Sequence, residues 1–321
     1  MKIAILLLPE ALNSTITGPA DVIFAASLIS NKSWEIDIVS KSAVPVKCFN
    51  GIFITPSNII KSNDIYDYVI IPSLIISQNG LLDDYTDYLA WLLWQSENRA
   101  KIASICTGAF LLAQTGLLNG KKATTHWSFT ESFRKKYPDI ELDGKATLVD
   151  NGSTLCCAAG SAWQDLILHI LQQNMNNSDV LSISETYQLQ RHNLGQQSFC
   201  GLPEGLITDR AIEKSIQCLK SNYSGENALE AAIQASKLTP RTFQRRFKAY
   251  SGKSPAHYLQ LLRVERAKEI LTFEHKPIEQ ICFDVGYEDT SYFRRLFKKQ
   301  TGMSMREYRS RYSIDPTRPV K

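Results

Sequence analysis

Apolar runs alternate with amphipathic segments along the first half of the chain. The runs KIAILLLP, WEIDIVS, YVIIPS and KIASIC are rich in β-branched residues and are typical of buried strands. Longer segments with helical periodicity lie between them, from Leu81 to Ser96 and from Thr107 to Thr115. Because strands and helices alternate, we expect parallel strand pairing and a sheet that is covered on both faces.

A hairpin and two helices are predicted to follow this region. In TLVDNGSTLCCAAG, two strand-like runs flank Asp150-Asn151-Gly152, and an Asn-Gly pair favours a tight hairpin turn. Residues 162–173 and 180–190 have helical periodicity, which is lost over residues 191–207, where Gly, Gln, Asn and Pro accumulate. The pattern therefore predicts a first domain at 1–190, a linker at 191–207, a second domain at 208–313 and a tail at 314–321.

The second half of the chain is helical and contains an internal repeat. TFQRRFKAYSGKSPAHY, which starts at Thr242, aligns with YFRRLFKKQTGMSMREY, which starts at Tyr292, at an offset of fifty residues. Upstream, LEAAIQAS aligns with IEQICFDV at an offset of forty-nine. The difference of one residue falls in the turn between the two segments, where a change in length is tolerated. Two copies predict two small helical units.

Each copy is predicted to fold as helix, turn and helix. Thr239 followed by Pro240 is a strong start signal for the second helix of the first copy, and Asp289 takes the capping position in the other. Two phenylalanines four residues apart lie on one helical face in each copy and are predicted to point into the core. A further helix begins at Ser254-Pro255 and continues to about Leu271. This helix would be a rigid spacer of about 25 Å, comparable with the ~34 Å of one DNA turn once helix widths are added.

The opposite face of each second helix carries polar and basic side chains. Arg reads guanine through two hydrogen bonds and Gln reads adenine, while Ser, Thr and Lys hold phosphates. The alternative is an amphipathic helix with solvated arginines, which a repeated basic face makes less favourable. The predicted DNA-contacting residues are Arg241, Thr242, Gln244, Arg245 and Lys248 in the first copy, and Thr290, Ser291, Arg294, Arg295 and Lys298 in the second.

The charge of the chain is divided unevenly. The 321 residues have a net charge of +4. Residues 237–312 contain 17 Lys and Arg against 8 Asp and Glu, whereas residues 1–236 contain 17 against 23. A basic C-terminal third after an acidic body favours a polyanion as the partner of the second domain, although a solvated basic surface would give the same count.

Composition favours a globular protein, with 44% hydrophobic and 21% charged residues. The first apolar run is too short to span a bilayer and has no cleavage site, so it is interpreted as a strand and no membrane partner is expected. Seven scattered cysteines without a C-x-x-C pair argue against a disulfide framework or a zinc site. We expect a cytoplasmic protein without a metal or another cofactor.

The repeated segment is similar to a known family. LTPRTFQRRFKAYSGKSPAHYLQLLRVERAKEIL and IEQICFDVGYEDTSYFRRLFKKQTGMSMREYR together resemble the all-α double helix-turn-helix domain of AraC/XylS-type transcription regulators. One departure is Lys237, where that family usually has glycine. The resemblance implies binding to a direct-repeat operator in double-stranded DNA, recruitment of RNA polymerase and, most often, activation.

The first domain resembles a second family. ICTGAFLLAQTGLLNGKKATTHW, followed by the hairpin and AAGSAWQDLILHIL, is similar to the amidase-like (PfpI-type) domain of GlxA-type AraC regulators. The resemblance implies an α/β flavodoxin-like fold, related to class I glutamine amidotransferases, in which Cys106 lies on a sharp turn between strand and helix. In enzymes of that superfamily the turn exposes the thiol to a helix N-terminus, which lowers its pKa.

Several partners that an enzyme would need are absent from the sequence, and His126 in TTHW is the one candidate for a base near Cys106. PfpI-type hydrolases have His directly after the cysteine, where this chain has Thr107. Redox-active relatives have a Glu after the first strand, where Ser14, Thr15 and Ile16 stand, and the usual Gly-Gly after the fourth core strand is Pro72-Ser73. A nucleophile without an oriented base is weak, so no catalytic residue is predicted.

A ligand pocket is predicted instead, because open α/β sheets bind ligands at the carboxyl ends of their strands. The resemblance implies a small, nitrogen-containing effector and a homodimer formed through the first domain. Two alternatives stay open, a Cys106-dependent hydrolase or amidase and a redox sensor. The predicted pocket residues are Glu10, Gly18, Pro19, Ser73, Cys106, Thr107, Gly108, His126, Trp127, Gly160 and Ser161.

Overall fold

The computed structural model describes residues 1–61, 63–77, 80–81, 85–192, 195–202 and 209–314. The chain divides into two units, Met1–Gln196 and Gln197–Lys321. Helices of the described residues are all too short or too polar to cross a membrane.

The first unit is an α/β fold, as predicted. Its strands are β1 (Lys2–Leu6), β2 (Glu35–Ser40), β3 (Val46–Lys47), β4 (Phe53–Ile54), β5 (Asn58–Ile59), β6 (Tyr68–Ile71), β7 (Ile76–Ser77), β8 (Gly80–Leu81), β9 (Lys101–Ile105), β10 (Lys122–Ala123), β11 (Glu141–Leu142), β12 (Leu148–Asp150) and β13 (Thr154–Cys157). Its helices are α1 (Ser14–Ile29), α2 (Thr86–Glu97), α3 (Gly108–Gln114), α4 (Thr130–Lys136), α5 (Trp163–Asn174) and α6 (Asn177–Thr186).

Seven strands form the main sheet in the order β12-β13-β9-β6-β1-β2-β5, and only β12 runs antiparallel to its neighbour. In β1, residues Ile3, Ala4, Ile5 and Leu6 are all fully buried, so both faces of this central strand are covered. The hairpin of β12 and β13 turns at Gly152, which has a φ of +82°. The predicted parallel sheet and hairpin are confirmed.

The largest differences from the predicted helix boundaries are at the start of α2 and the end of α6. The segment predicted to be helical from Leu81 begins its helix only at Thr86, and Leu81 itself belongs to β8. Helix α6 ends at Thr186 rather than at residue 190, because Gln188 takes a left-handed φ of +51° that a right-handed helix does not accommodate.

The predicted linker also differs in part from the structure. The first unit continues to Gln196, since the described residues 191–192 and 195–196 are bonded to it. Residues 193–194 and 203–208 of the predicted linker, and 315–321 of the predicted tail, lie outside the described residues.

All regular secondary structure in the described part of the second unit is helical. Its helices are α7 (Arg210–Asn222), α8 (Ala228–Ser236), α9 (Pro240–Ser251), α10 (Pro255–Phe273), α11 (Ile278–Asp284), α12 (Thr290–Thr301) and α13 (Met305–Tyr312). The predicted caps are confirmed, since the side chains of Thr239, Ser254 and Asp289 accept hydrogen bonds from the first turns of α9, α10 and α12.

Each helix-turn-helix has its own hydrophobic core. Phe243 and Phe247 of α9 are almost completely buried in one cluster, and Phe293 and Phe297 of α12 are buried in the other. Burying a side chain of this size contributes about 1.5–3 kcal/mol, so each aromatic pair fixes which face of its helix remains outside. The inward direction predicted for these phenylalanines is confirmed.

Candidate nucleic-acid interface and ligand pocket

Helix α9 presents a polar face with four exposed side chains. Arg241, Gln244, Arg245 and Lys248 are exposed, and within the described residues their side chains make no hydrogen bond or ion pair. Thr242 is half-buried, and its hydroxyl lies 3.0 Å from that of the capping residue Thr239. The four exposed side chains can therefore meet an external partner without first breaking an internal contact.

Helix α12 presents a similar face, with one exception. Ser291, Arg295 and Lys298 are exposed, while Thr290 is half-buried at the first helical position. Arg294 was predicted to contact DNA, and its guanidinium is paired with Glu279 of α11. This ion pair links α12 to α11, so a DNA contact of Arg294 would have to compete with it.

A cluster around Arg263 joins the two helix-turn-helix units. From the middle of α10, Arg263 donates to the carbonyl oxygens of Tyr223 at 2.7 Å and Gly225 at 3.2 Å. Its guanidinium also lies 4.9 Å from the ring centroid of Tyr287, in the turn between α11 and α12. The spacing of the two units thus depends on side chains as well as on the spacer helix.

Arg246 was not predicted to have a role, and it anchors α9 to α7. Its guanidinium donates to both oxygens of Asp209 at 2.9 and 2.7 Å. Asp209 is the N-cap of α7 and accepts hydrogen bonds from Ala211 and Ile212 as well. The hydrogen bonds from Arg246 are the main reason why the pKa of the Asp209 carboxyl is lowered. An aspartate before a helical run is a sequence signal for a cap, but not for this partner.

In the first unit, the predicted pocket residues follow the ends of neighbouring parallel strands. Glu10 follows β1, Ser73 follows β6, Cys106 follows β9 and Gly160 follows β13, and these four strands are adjacent in the sheet. Their carboxyl ends lie at the same edge, which brings the four segments together. Ser73, Cys106, Thr107 and Gly108 are buried, while Glu10, Gly18, His126, Trp127 and Gly160 are half-buried and Ser161 is exposed.

Cys106 keeps the strained backbone of a sharp turn, but its thiol is not activated. Its φ is +57°, in the left-handed region that non-glycine residues rarely adopt. The side chain is only 5% exposed. Burial raises the pKa of the thiol above its ordinary value, and hydrogen bonds from Ser73 and Thr107 offset part of that effect. The thiol is therefore protonated at neutral pH.

Thr107 occupies the place of the hydrolase histidine and fastens a loop instead. Its hydroxyl donates to the carbonyl of Leu74 at 2.5 Å and accepts from the amide of Leu74 at 2.9 Å. Ser73 lies 3.1 Å from the same hydroxyl. A Cβ at Gly108 would lie 2.5 Å from the carbonyl oxygen of Pro72, so only glycine lets α3 begin this close to the loop.

His126 does not have the contacts of a general base. Its Nδ1 lies 2.7 Å from the hydroxyl of Ser128 and caps the turn that follows. Within the described residues no hydrogen bond joins it to Cys106 or to a carboxylate. Burial lowers the pKa of the imidazole, so the ring is neutral at pH 7. Its centroid lies 5.3 Å from the Trp127 ring, with which it forms an aromatic rim.

Glu10 and the α1 residues have contacts that the sequence did not reveal. Glu10 has a φ of +55°, and its amide donates to the carbonyl of Lys47 at 3.2 Å. Burial raises the pKa of the Cys48 thiol, and the Glu10 carboxylate raises it further. Pro19 is buried within α1, and a Cβ at Gly18 would lie 2.7 Å from the Trp163 ring. Gly18 and Pro19 therefore contribute close packing at the pocket edge.

Two further residues of the pocket region were missed. The hydroxyl of Thr15 accepts from the amide of Ser73 at 3.0 Å. Gln196 is 3% exposed, and its side-chain amide bonds to the backbone around His126. Thr15 stands where redox-active relatives have a Glu, and Gln196 lies in a segment without helical or strand periodicity. The sequence pattern therefore does not indicate either contact.

Family models match both parts of the chain. The DJ-1/PfpI family model matches residues 1–173, and a helix-turn-helix domain model matches residues 233–311. Solved structures with a similar fold include an AraC family transcriptional regulator from Pseudomonas putida, with a TM-score of 0.52 and 15% identity over 58% of this chain and 98% of that one. A ThiJ/PfpI family protein from Pseudomonas syringae has a TM-score of 0.52 and 21% identity over 74% of this chain and 90% of that one.

Similar sequences are named as transcription regulators. The HTH-type transcriptional regulator CdhR of Pseudomonas aeruginosa is 25% identical over 71% of this chain and 65% of its own length. The HTH-type transcriptional regulator GbdR of the same species is 22% identical over 81% of this chain and 70% of its own length. The HTH-type transcriptional activator RhaR of Yersinia pseudotuberculosis is 28% identical over 45% of this chain and 48% of its own length. The chain thus spans about two thirds of the length of CdhR and GbdR. It belongs to the DJ-1/PfpI family and carries an AraC-type helix-turn-helix domain after the DJ-1/PfpI domain.

Proposed function

We propose that the chain is a sequence-specific DNA-binding transcription regulator that reads DNA with α9 and α12. The observation that carries this proposal is the pair of exposed polar faces, Arg241, Gln244, Arg245 and Lys248 on one helix and Ser291, Arg295 and Lys298 on the other. Each helix is the second of a helix-turn-helix, carries a buried pair of phenylalanines and lies in the matched helix-turn-helix domain.

The chemistry of these faces suits the major groove. Arg245 and Arg295 take equivalent positions in the two copies, and each has a guanidinium that can bond to guanine O6 and N7. Gln244 can pair with adenine, while the lysines and Ser291 suit phosphate oxygens that set the register. Two equivalent readers in one chain fit a direct-repeat operator, with the α10 spacer between them.

For the first unit we propose a non-catalytic sensing domain for a small, nitrogen-containing metabolite. The DJ-1/PfpI family includes enzymes, and the left-handed backbone of Cys106 favours that alternative. Three observations argue against a hydrolase. The pKa of the buried Cys106 thiol is raised, the Thr107 hydroxyl is bonded to Leu74, and the neutral His126 is bonded to Ser128. Among the rim residues, Glu10 suits a cationic group and Trp127 suits a quaternary ammonium group.

The remaining parts of the proposal concern assembly and output. A homodimer formed through the first unit would place four reading helices on one operator, and recruitment of RNA polymerase in the cytoplasm would give activation. RhaR is named as an activator, which agrees with the proposed activation, although the matched part covers less than half of that protein.

Genomic footprinting of the full chain tests the DNA-binding proposal. We expect protected sites in which the two contacts of each protomer lie about one helical turn apart, and the genes beside them would indicate the class of effector. Calorimetry of the full chain against amino acids, amines and betaines tests the sensing domain. Binding spread evenly over random sequence would contradict sequence-specific reading, and an absence of heat with every compound would contradict the proposed effector class.

A further inference from the structure

Gln196, the last residue of the first unit, holds a backbone segment of the pocket rim. Its side-chain oxygen accepts from the amide of Trp127 at 2.9 Å, and its nitrogen donates to the carbonyl of Thr125 at 2.9 Å. The nitrogen also lies 3.3 Å from the hydroxyl of Thr124. The planar amide therefore pairs with an N–H and a C=O two residues apart, much as a neighbouring strand would.

This pairing is costly to break because it is buried. Gln196 is 3% exposed and both Thr124 and Thr125 are fully buried. A buried donor or acceptor that loses its partner costs about 1–3 kcal/mol. The position of Gln196 and the conformation of residues 124–127 consequently depend on each other.

The same rim segment is bonded to the floor of the predicted pocket. The hydroxyl of Thr125 donates to the carbonyl of Cys106 at 3.0 Å. His126 and Trp127, which follow, are the half-exposed aromatic rim. The Trp127 ring belongs to a residue whose backbone amide is bonded to Gln196, and His126 lies between the two bonded residues.

The backbone of Gln196 and the nearby His192 are also bonded to the first unit. The carboxylate of Asp165 accepts from the backbone amide of His192 at 2.8 Å and lies 2.5 Å from its Nδ1. The hydroxyl of Thr147 donates to the His192 carbonyl at 3.0 Å, and the amide of Gln196 donates to the Lys145 carbonyl at 3.0 Å. The next residue along the chain begins the second unit.

The part of the first unit around His192 has one open side. A cavity of about 470 Å³ is lined by Asp165, Arg191, His192, Gly195 and part of the 143–148 stretch. On this side His192 and Gly195 therefore border open space rather than close-packed side chains.

We propose that Gln196 is the positioning residue that couples the ligand pocket to the DNA-binding unit. In the bonded state, His192 and Gln196 are both held on the first unit by hydrogen bonds. A ligand that binds better when the rim has shifted favours the released state, in which Gln196 is no longer bonded to the rim and the connection to the second unit becomes longer. This proposal rests on the proposed function of both units.

The first test follows amide hydrogen exchange in the full chain, comparing wild type, Gln196→Ala and the matched control Gln197→Ala. We expect the Gln196 variant to show roughly tenfold faster exchange at Trp127 and also across the described residues 195–202. The control should match the wild type at Trp127. Unchanged exchange at Trp127, or a change confined to Trp127, would overturn the coupling.

The second test measures the affinity of the same proteins for a footprinted site, with no ligand present. Because Gln196→Ala mimics the released state, its affinity should differ at least threefold from that of wild type, and that of Gln197→Ala should not. Gln196→Glu, which keeps the length but loses the donor to Thr125, should behave like Gln196→Ala. Affinities equal within error would overturn the proposal.

If wild type itself binds no specific site, the proposed function fails, while the exchange data still decide whether Gln196 links the rim to the connection.

Discussion

At the scale of single residues, the side chain after Cys106 decides what the sharp turn can do. Thr107 uses its hydroxyl to bond the backbone of Leu74 in both directions. A strained turn with a buried, protonated thiol lacks the thiolate that nucleophilic or redox chemistry requires. The family fold therefore retains the sharp turn here, while the residue after Cys106 fastens the loop at Leu74.

We expect Cys106 to resist alkylation at neutral pH. The folded chain is treated with iodoacetamide at pH 7.5, and labelled peptides are quantified by mass spectrometry. Because burial raises its pKa and leaves it 5% exposed, Cys106 should react far more slowly than the half-exposed Cys218. Cys106→Ser should leave DNA binding near the wild-type level. Preferential labelling of Cys106 would instead indicate an activated thiol.

Lys237 offers a stability test at a single position. It ends α8 in the left-handed region, with a φ of +56°, where the equivalent turn of the second copy has Gly286. This conformation costs a non-glycine residue about 1–2 kcal/mol, and the greater freedom of glycine in the unfolded chain offsets about half of that. Lys237→Gly should stabilise the protein by about 0.5–1 kcal/mol in urea unfolding. A lower midpoint would show that Lys237 makes an unrecognised stabilising contact.

The candidate residues could be predicted to different extents. The buried phenylalanines and the exposed arginines of α9 follow from helical periodicity, which is local in sequence. Arg294 and Gln196 do not, because their partners Glu279 and Trp127 lie 15 and 69 residues away. Periodicity states which face a residue occupies, but it does not state which distant group meets it.

At the scale of elements, the spacing of the two helix-turn-helix units depends on more than α10. Arg263 bonds the α7–α8 connection and stacks on Tyr287, and a Cβ at Gly286 would clash with the backbone carbonyl of Ser224. The turn of the second unit thus packs directly on the chain before α8. The repeat predicted two units and a spacer, but this cross-contact involves residues outside the repeated motif.

Gly286→Ala should be much more destabilising than Gly252→Ala. Both glycines have positive φ, +85° and +69°, so each alanine carries the left-handed strain of about 1–2 kcal/mol. Only Gly286 is packed against backbone, whereas nothing lies within 4 Å of a Cβ at Gly252. We expect Gly286→Ala to exceed its control by at least about 1–3 kcal/mol in urea unfolding. Equal effects would mean that the turn does not pack on Ser224.

At the scale of the whole molecule, the positive charge is concentrated within the second unit. Residues 237–312 have a net charge of +9, from 17 Lys and Arg against 8 Asp and Glu. The alternation of strands and helices in the first half, and the repeat in the second, were enough to predict both fold classes. The boundary at Gln196 was not predictable, because it is set by side-chain bonds rather than by composition.

The most direct test of the account is the affinity of Arg245→Ala and Arg295→Ala for a footprinted operator and for a scrambled duplex. Lys220→Ala, an exposed basic residue on α7, is the matched control. If both arginines read bases, each change should cost about 1–3 kcal/mol on the operator, roughly 5- to 150-fold in Kd, and much less on scrambled DNA. Equal losses on both duplexes, or losses no larger than those of Lys220→Ala, would contradict the claim that α9 and α12 read the sequence.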